Sequence, residues 1–259
     1  CIECRLARSR MWAIRCVHES KMAEDNCFIT LTYNDEHLKK YCPGGSLNKR
    51  QFVLFMKRLR KEVGKVRFFH AGEYGENLGR PHHHACLFGF DFEDKKLWKT
   101  KQGVRLWTSE TLNRIWGHGY CVIGEVTFES AAYVARYIMK KITGEEAVDH
   151  YRGKEPEYTT MSRRPGIGKE FFDKFQSDIY NYDRVEIRNK LVRPPRYYDG
   201  LYEVEHPDRM EKIKLNRKEK INSKKSKTKT EKYQKFIQDQ KNAKIKKQKN
   251  IKNRGLENE

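Results

Sequence analysis

The stretch Pro81-His82-His83-His84-Ala85-Cys86-Leu87-Phe88-Gly89 constrains the fold more than any other part of the chain. Gly79 and Pro81 lead into it as turn residues, its later half is apolar, and Gly89 closes it, so residues 82–88 read as one β-strand. A second apolar run, Val66 to Glu73, precedes it across the turn-rich Tyr74-Gly75-Glu76-Asn77-Leu78-Gly79-Arg80. Two strands joined so closely fold back on each other and require an antiparallel pair. Alternation along the strand puts His82 and His84 on one face, about 7 Å apart, and His83 on the other. Glu73, ending the neighbouring strand, is then placed to join the two imidazoles as third ligand of a divalent cation. Adjacent histidines also occur as idle surface clusters; the strand and the carboxylate opposite weigh against that here. Nucleotide hydrolysis on alternating histidines would want another His two places on, where the chain has Cys86.

The remaining elements follow from periodicity. Residues 5–24 carry Leu6, Trp12, Ile14, Val17 and Met22 among arginines, an Arg-rich amphipathic helix. In Cys27-Phe28-Ile29-Thr30-Leu31-Thr32-Tyr33, a strand ending at the turn Asn34-Asp35, the residues Phe28, Thr30 and Thr32 share a face, so its hydroxyl-bearing side suits a ligand. Ser46 caps a helix from Leu47 to Val63 whose core face is Phe52, Phe55, Met56, Leu59 and Val63. Residues 91–104 read as an exposed polar excursion, residues 109–116 as a short helix, and Gly119 to Val126 as a fourth strand. Ser130 caps the helix Ala131 to Lys141, and Phe171, Phe172 and Phe175 mark another short helix. This order predicts an α+β fold, a central antiparallel or mixed sheet with helices mainly on one face.

The formal net charge of +20 calls for a polyanionic partner, foremost nucleic acid. Arg163, Arg164 and Lys169, in a glycine-bearing loop, and Lys141 are the DNA-binding candidates. From Arg209 onward roughly 19 basic residues meet about 6 acidic ones, too polar a tail to build a core, expected to be disordered or helical. The domain reading is a basic segment at 1–27 with the Cys1-Ile2-Glu3-Cys4 pair, a catalytic domain at 28–200, and a lysine-rich tail at 201–259. CxxC is half of a tetrahedral zinc site, but seven cysteines, odd in number and scattered, favour ordinary reduced thiols in a reducing compartment. No apolar run is long enough to span a membrane, and no signal-peptide core is seen.

Tyr133 and Tyr137 lie one helical turn apart on one face, with Lys140 and Lys141 within reach of a phosphate held there. Paired tyrosines at this spacing are more often packing residues. Beside a His-His-Glu metal site they can act as nucleophiles on a phosphodiester, because a cation bound to the phosphate oxygens assists a phenol whose pKa is near 10.

Phe28-Ile29-Thr30-Leu31-Thr32-Tyr33, Gly72-Glu73-Tyr74-Gly75, Arg80-Pro81-His82-His83-His84 and Tyr133 to Lys140 together resemble the HUH endonuclease superfamily of rolling-circle replication initiators, in particular the microvirus, gokushovirus-like branch. The resemblance covers roughly residues 1–175, with the motifs in the family's order. It implies an RRM-like or palm-like sheet with the histidine strand in its middle and the tyrosine helix against it. It further implies nicking of origin DNA with a 5'-phosphotyrosine intermediate and a free 3'-hydroxyl, Mg2+ or Mn2+ as cofactor, and action in the bacterial cytoplasm. By similarity His82 and His84 are metal ligands, Glu73 the third, and Tyr133 and Tyr137 the nucleophiles. No GxxxxGK[ST] loop is present, so a host helicase and polymerase are the expected partners. The competing readings are a non-catalytic single-strand-binding sheet domain using aromatics such as Tyr33 and Phe68, and a relaxase or single-strand transposase of the same superfamily.

Overall fold

The computed structural model describes residues 2–75, 78–101, 103–140, 142 and 144–226, together with 235, 238–240, 242 and 243. For 2, 3, 101, 137–140 and 224–226 it describes the backbone alone. The chain divides into two compact units, residues 1–196 and 197–259. The first runs α1 (Ile2–Ser20), β1 (Asn26–Leu31), α2 (Asp35–Tyr41), α3 (Lys49–Val63), β2 (Arg67–Tyr74), β3 (Pro81–Phe88), β4 (Lys96–Lys101), β5 (Val104–Thr108), α4 (Glu110–Trp116), β6 (Cys121–Gly124), α5 (Phe128–Lys140), α6 (Glu146–Tyr151), β7 (Tyr158–Met161), α7 (Lys169–Tyr182), β8 (Val185–Ile187) and β9 (Lys190–Val192).

Seven strands form one sheet in the order β4-β5-β6-β1-β3-β2-β7, every neighbouring pair antiparallel. This is the α+β class the pattern predicts, with the histidine strand β3 inside the sheet between β1 and β2. All eight residues of β3 are buried, so apolar surface must cover it from both sides. Helices accordingly flank both faces, which corrects the expectation of helices mainly on one. On one face Phe52, Phe55, Met56 and Leu59 of α3 and Leu112, Ile115 and Trp116 of α4 meet Ile29, Leu31, Ala85 and Leu87. On the other, Ala13 and Cys16 of α1 and Ala131, Val134 and Ala135 of α5 meet Phe28, Phe69, Ala71 and Cys86. Each fully buried Phe or Leu in these cores contributes about 1.5–3 kcal/mol.

Local capping sets where the helices begin. Asn48, not Ser46, caps α3 by accepting the Arg50 N–H, and Ser109 caps α4 by accepting the Leu112 N–H. At the start of α5 Thr127 and Ser130 bond reciprocally, Thr127 N–H to Ser130 Oγ at 2.8 Å and Ser130 N–H to Thr127 Oγ1 at 3.1 Å. The segment read as a polar excursion is the hairpin β4–β5, whose register shifts between Leu97 and Lys99. α1 is tied to the sheet unit by Arg15 Nε donating to Ile167 O at 2.9 Å and by Glu19, which pairs with Arg67 and accepts the Gly168 N–H at 2.5 Å.

The second unit contains most of α8 (Arg196–Glu205) and α9 (Pro207–Ser226). Arg217 donates to both carboxylate oxygens of Asp199, at 2.8 and 3.0 Å. Of the two alternatives for the basic tail, helix holds as far as Ser226. Most residues after it lie outside the described ones.

Candidate metal and tyrosine site

The antiparallel register sets Glu73 of β2 directly opposite His82 of β3, and the pleat brings His84 to the same face. One carboxylate oxygen, Glu73 Oε1, lies 2.9 Å from His82 Nε2 and 2.8 Å from His84 Nε2. All three side chains are buried, and Glu73 is fully so. Burial by itself would push the Glu73 carboxyl up; hydrogen bonding from His82 and His84 outweighs it and holds the group down at about 2.

The far nitrogens of both rings are also engaged. His82 Nδ1 donates to the Arg80 carbonyl at 3.0 Å, and His84 Nδ1 meets Thr30 Oγ1 at 2.9 Å. A carbonyl only accepts, so a neutral His82 carries its proton on Nδ1 and turns the Nε2 lone pair toward a carboxylate oxygen. Two lone-pair bearers at that separation require a positive charge between them, either a proton or a metal ion. The three ligand atoms lie within 4.8 Å of one another and form the group suited to a metal among the described residues. Second partners on the outer nitrogens are the usual support of ligating histidines. The residues therefore fit a divalent cation.

α5 packs over this part of the sheet and delivers Tyr133. Its hydroxyl donates to Glu73 Oε1 at 3.2 Å, and its ring meets His84 edge-on at 5.0 Å. Phe28 stacks on His84 with centroids 5.6 Å apart and meets the Tyr133 ring edge-on at 6.5 Å. Of the remaining site candidates, Tyr137 and Lys140 lie on α5 with their side chains outside the described residues, and Lys141 lies outside them altogether.

His83 faces the opposite side and takes no part. Its Nε2 meets Tyr33 Oη at 3.0 Å and its Nδ1 meets His70 Nε2 at 3.1 Å, while His70 Nδ1 meets Thr160 Oγ1 at 2.8 Å. This polar chain crosses β1's end, β3, β2 and β7 behind the site, roofed by Phe52 stacked on His70 at 3.4 Å. Burial, followed by the neighbouring His82 and His84, holds His83 down at about 3.

Two contributors escaped the sequence reading. Arg80 donates to Asp35 Oδ1 at 2.7 Å and to Tyr33 O at 2.9 Å, fixing the carbonyl that orients His82. Thr30 supports His84; its place on the hydroxyl-bearing face of β1 was the only signal. Arg163 and Arg164 are exposed on the turn after β7, at the end of β2 remote from Glu73, and Lys169 is paired with Asp173. Of the zinc candidates, Cys1 lies outside the described residues and Cys4 is exposed.

Residues 26–142 match the family described as replication-associated protein ORF2. The chain is 39% identical to the replication-associated protein VP4 of Bdellovibrio phage phiMH2K, over 85% of this chain and 72% of the relative. It is 36% identical to the replication-associated protein ORF2 of Spiroplasma virus 4, over 80% and 68% respectively, and 28% identical to ORF4 of Chlamydia phage 1, over 78% and 52%. No solved structure matches the chain. The matched segment spans β1 to α5 and so contains Glu73, His82, His84 and Tyr133.

Proposed function

The chain belongs to the replication-associated protein ORF2 family, and from that premise we propose that it starts phage replication by nicking origin DNA through a tyrosine, in the cytoplasm of the bacterial host. The observation that carries this reading is the Tyr133 hydroxyl, 3.2 Å from the carboxylate oxygen that both histidines share. His82, His84 and Glu73 would hold the cation. A set of two imidazoles and one carboxylate suits Mn2+ better than Mg2+, which prefers oxygen ligands. When bound, the ion supplies charge to the phosphate oxygens.

Tyr133 Oη attacks phosphorus, the bond from phosphorus to the 3'-oxygen breaks, and that oxygen takes up a proton as the phenol gives one up. The 5'-phosphate is left on tyrosine and a 3'-hydroxyl is free to prime synthesis. One phosphoester is exchanged for another, so the reverse reaction reseals the strand without ATP. Glu73, held near 2, is a weak base, and its bond to Tyr133 orients the phenol. Tyr137 serves as second nucleophile, with Lys140 against the phosphate, which would let one tyrosine keep the first 5' end while the other cuts again. Unwinding and synthesis fall to a host helicase and polymerase.

The test is a covalent adduct. Single-stranded fragments of the genome that encodes this chain, labelled at the 3' end, are incubated with the protein with and without Mn2+ and then denatured. Label should remain on the protein only with metal, and Tyr133→Phe combined with Tyr137→Phe should remove it. If every variant binds DNA equally and no fragment yields an adduct, a non-catalytic binding domain replaces this reading.

A further inference from the structure

At the end of β2 remote from Glu73 a cleft of about 590 Å³ opens between the C-terminal end of α3, the start of β2 and the turn after β7. Arg60, Lys65, Arg67, Arg163 and Arg164 line it, with Phe68 and uncharged neighbours making up the rest, and no lining residue is acidic. The charge of Arg67 is taken up by Glu19. Arg60 is held by the Val66 carbonyl, at 3.1 Å from Nε and 2.7 Å from Nη2, and lies 5.5 Å from the centre of the Phe68 ring. That contact fixes the guanidinium without neutralising it. Among the described residues no carboxylate pairs with Arg60, Lys65, Arg163 or Arg164. Four uncompensated cations around one concavity repel each other unless an anion lies among them.

We propose that this cleft binds the sugar-phosphate backbone of DNA at a distance from the cleavage point. Six residue steps along β2 separate Arg67 from Glu73, about 20 Å at strand rise. At 3.4 Å per nucleotide along a duplex strand, the cleft meets the backbone roughly six nucleotides from the scissile phosphate, and an extended single strand covers the same distance in fewer. Backbone contacts carry no base information, so the cleft sets affinity and register while specificity comes from elsewhere. The register rests on the nicking reading; backbone binding by the cleft does not.

The first arm of the experiment uses fluorescence anisotropy with the full chain and two probes, a duplex of arbitrary sequence of about 40 bp and a dT strand of similar length, between roughly 50 and 200 mM NaCl. Arg163→Ala with Arg164→Ala should lower the slope of log K against log salt by about 2 on at least one probe, with roughly tenfold weaker binding at low salt. Arg163→Lys with Arg164→Lys should restore the slope, because charge and not shape is being read. The probe that responds shows whether a duplex or a single strand lies in the cleft. An unchanged slope in the alanine variant on both probes, or a loss that the lysine variant does not restore, overturns the proposal.

The second arm applies phosphate-ethylation interference to a fragment that forms the tyrosine adduct. Ethylation at a position up to roughly six nucleotides from the nick, fewer if the strand is extended, should weaken binding of the wild-type chain and leave the alanine variant indifferent. Equal interference in both overturns the register. If the salt slope responds while no fragment forms an adduct, the nicking reading fails and the cleft stands as a backbone site.

Discussion

His82, His83 and His84 are adjacent and chemically alike, yet the pleat assigns them opposite work: two turn to Glu73 and one to Tyr33 and His70. Burial also decides how such residues respond to pH. His18 is buried in α1 and stacked on Phe171 at 3.8 Å; burial first, then Lys21, holds it at about 3. Like His83, it is neutral when folded, whereas in the unfolded chain it takes a proton near pH 6.5. The unfolded state therefore binds more protons between about pH 3 and 6.5, and each such group costs up to about 1.4 kcal/mol of stability per pH unit as pH falls through that window. Glu73 acts in the same direction lower down, its contribution being lost as pH falls from its ordinary range toward about 2. Urea midpoints should be flat between about pH 7 and 8 and drop steadily toward pH 5. His18→Leu should make the drop shallower by about one proton's worth; an unchanged pH slope would show that His18 is not neutral in the fold.

At the scale of elements, close approach of backbones determines what can be substituted. A Cβ on Gly119 would stand 2.5 Å from Thr32 O and 2.6 Å from Asn34 N, where β1 runs out beside the lead into β6. Those atoms are already committed: Thr32 O accepts from Trp116 Nε1 at 2.6 Å, and Asn34 N donates to His118 O at 2.9 Å. Gly119→Ala should cost about 1–3 kcal/mol, seen as a lower denaturation midpoint. Gly200 in α8 is the counterexample, helical and with nothing near its added Cβ, and Gly200→Ala should be neutral or stabilise by up to about 1 kcal/mol. The elements missed from sequence have comparable local causes. A bulge around Trp98 breaks the alternation that would have revealed β4. Asn34, taken as a turn residue, is the N-cap of α2 and accepts the His37 N–H at 2.8 Å.

For the whole molecule, the Glu73, His82 and His84 cluster joins β2 to β3, so a cation bound there would stabilise the folded chain by mass action. At a hundredfold excess over its dissociation constant, Mn2+ should add about 2.7 kcal/mol, a rise in Tm of several degrees that EDTA reverses. Glu73→Gln should lose that rise while staying folded without metal; a Tm indifferent to Mn2+ in the parent chain would remove the metal from the site. Much of this architecture was legible in the sequence alone. Strand alternation placed His82 and His84 together and His83 apart, helical spacing gave the core face of α3 except at Val63, which is exposed at the helix end, and the place of Tyr133 on α5, and charge called for a polyanion, because these are periodicities and compositions of a single segment. What joins segments far apart in the chain was not legible. Glu73 opposite His82 could be anticipated because β2 and β3 are consecutive strands joined by a short turn; that Tyr133 reaches the same oxygen, that Thr30 and Arg80 brace the histidines, that helices cover both faces, and that Arg60, Lys65, Arg163 and Arg164 gather in one cleft are consequences of strand order and register. Those are set by burying both faces of β3 at once, a condition on the folded chain as a whole that no local pattern carries.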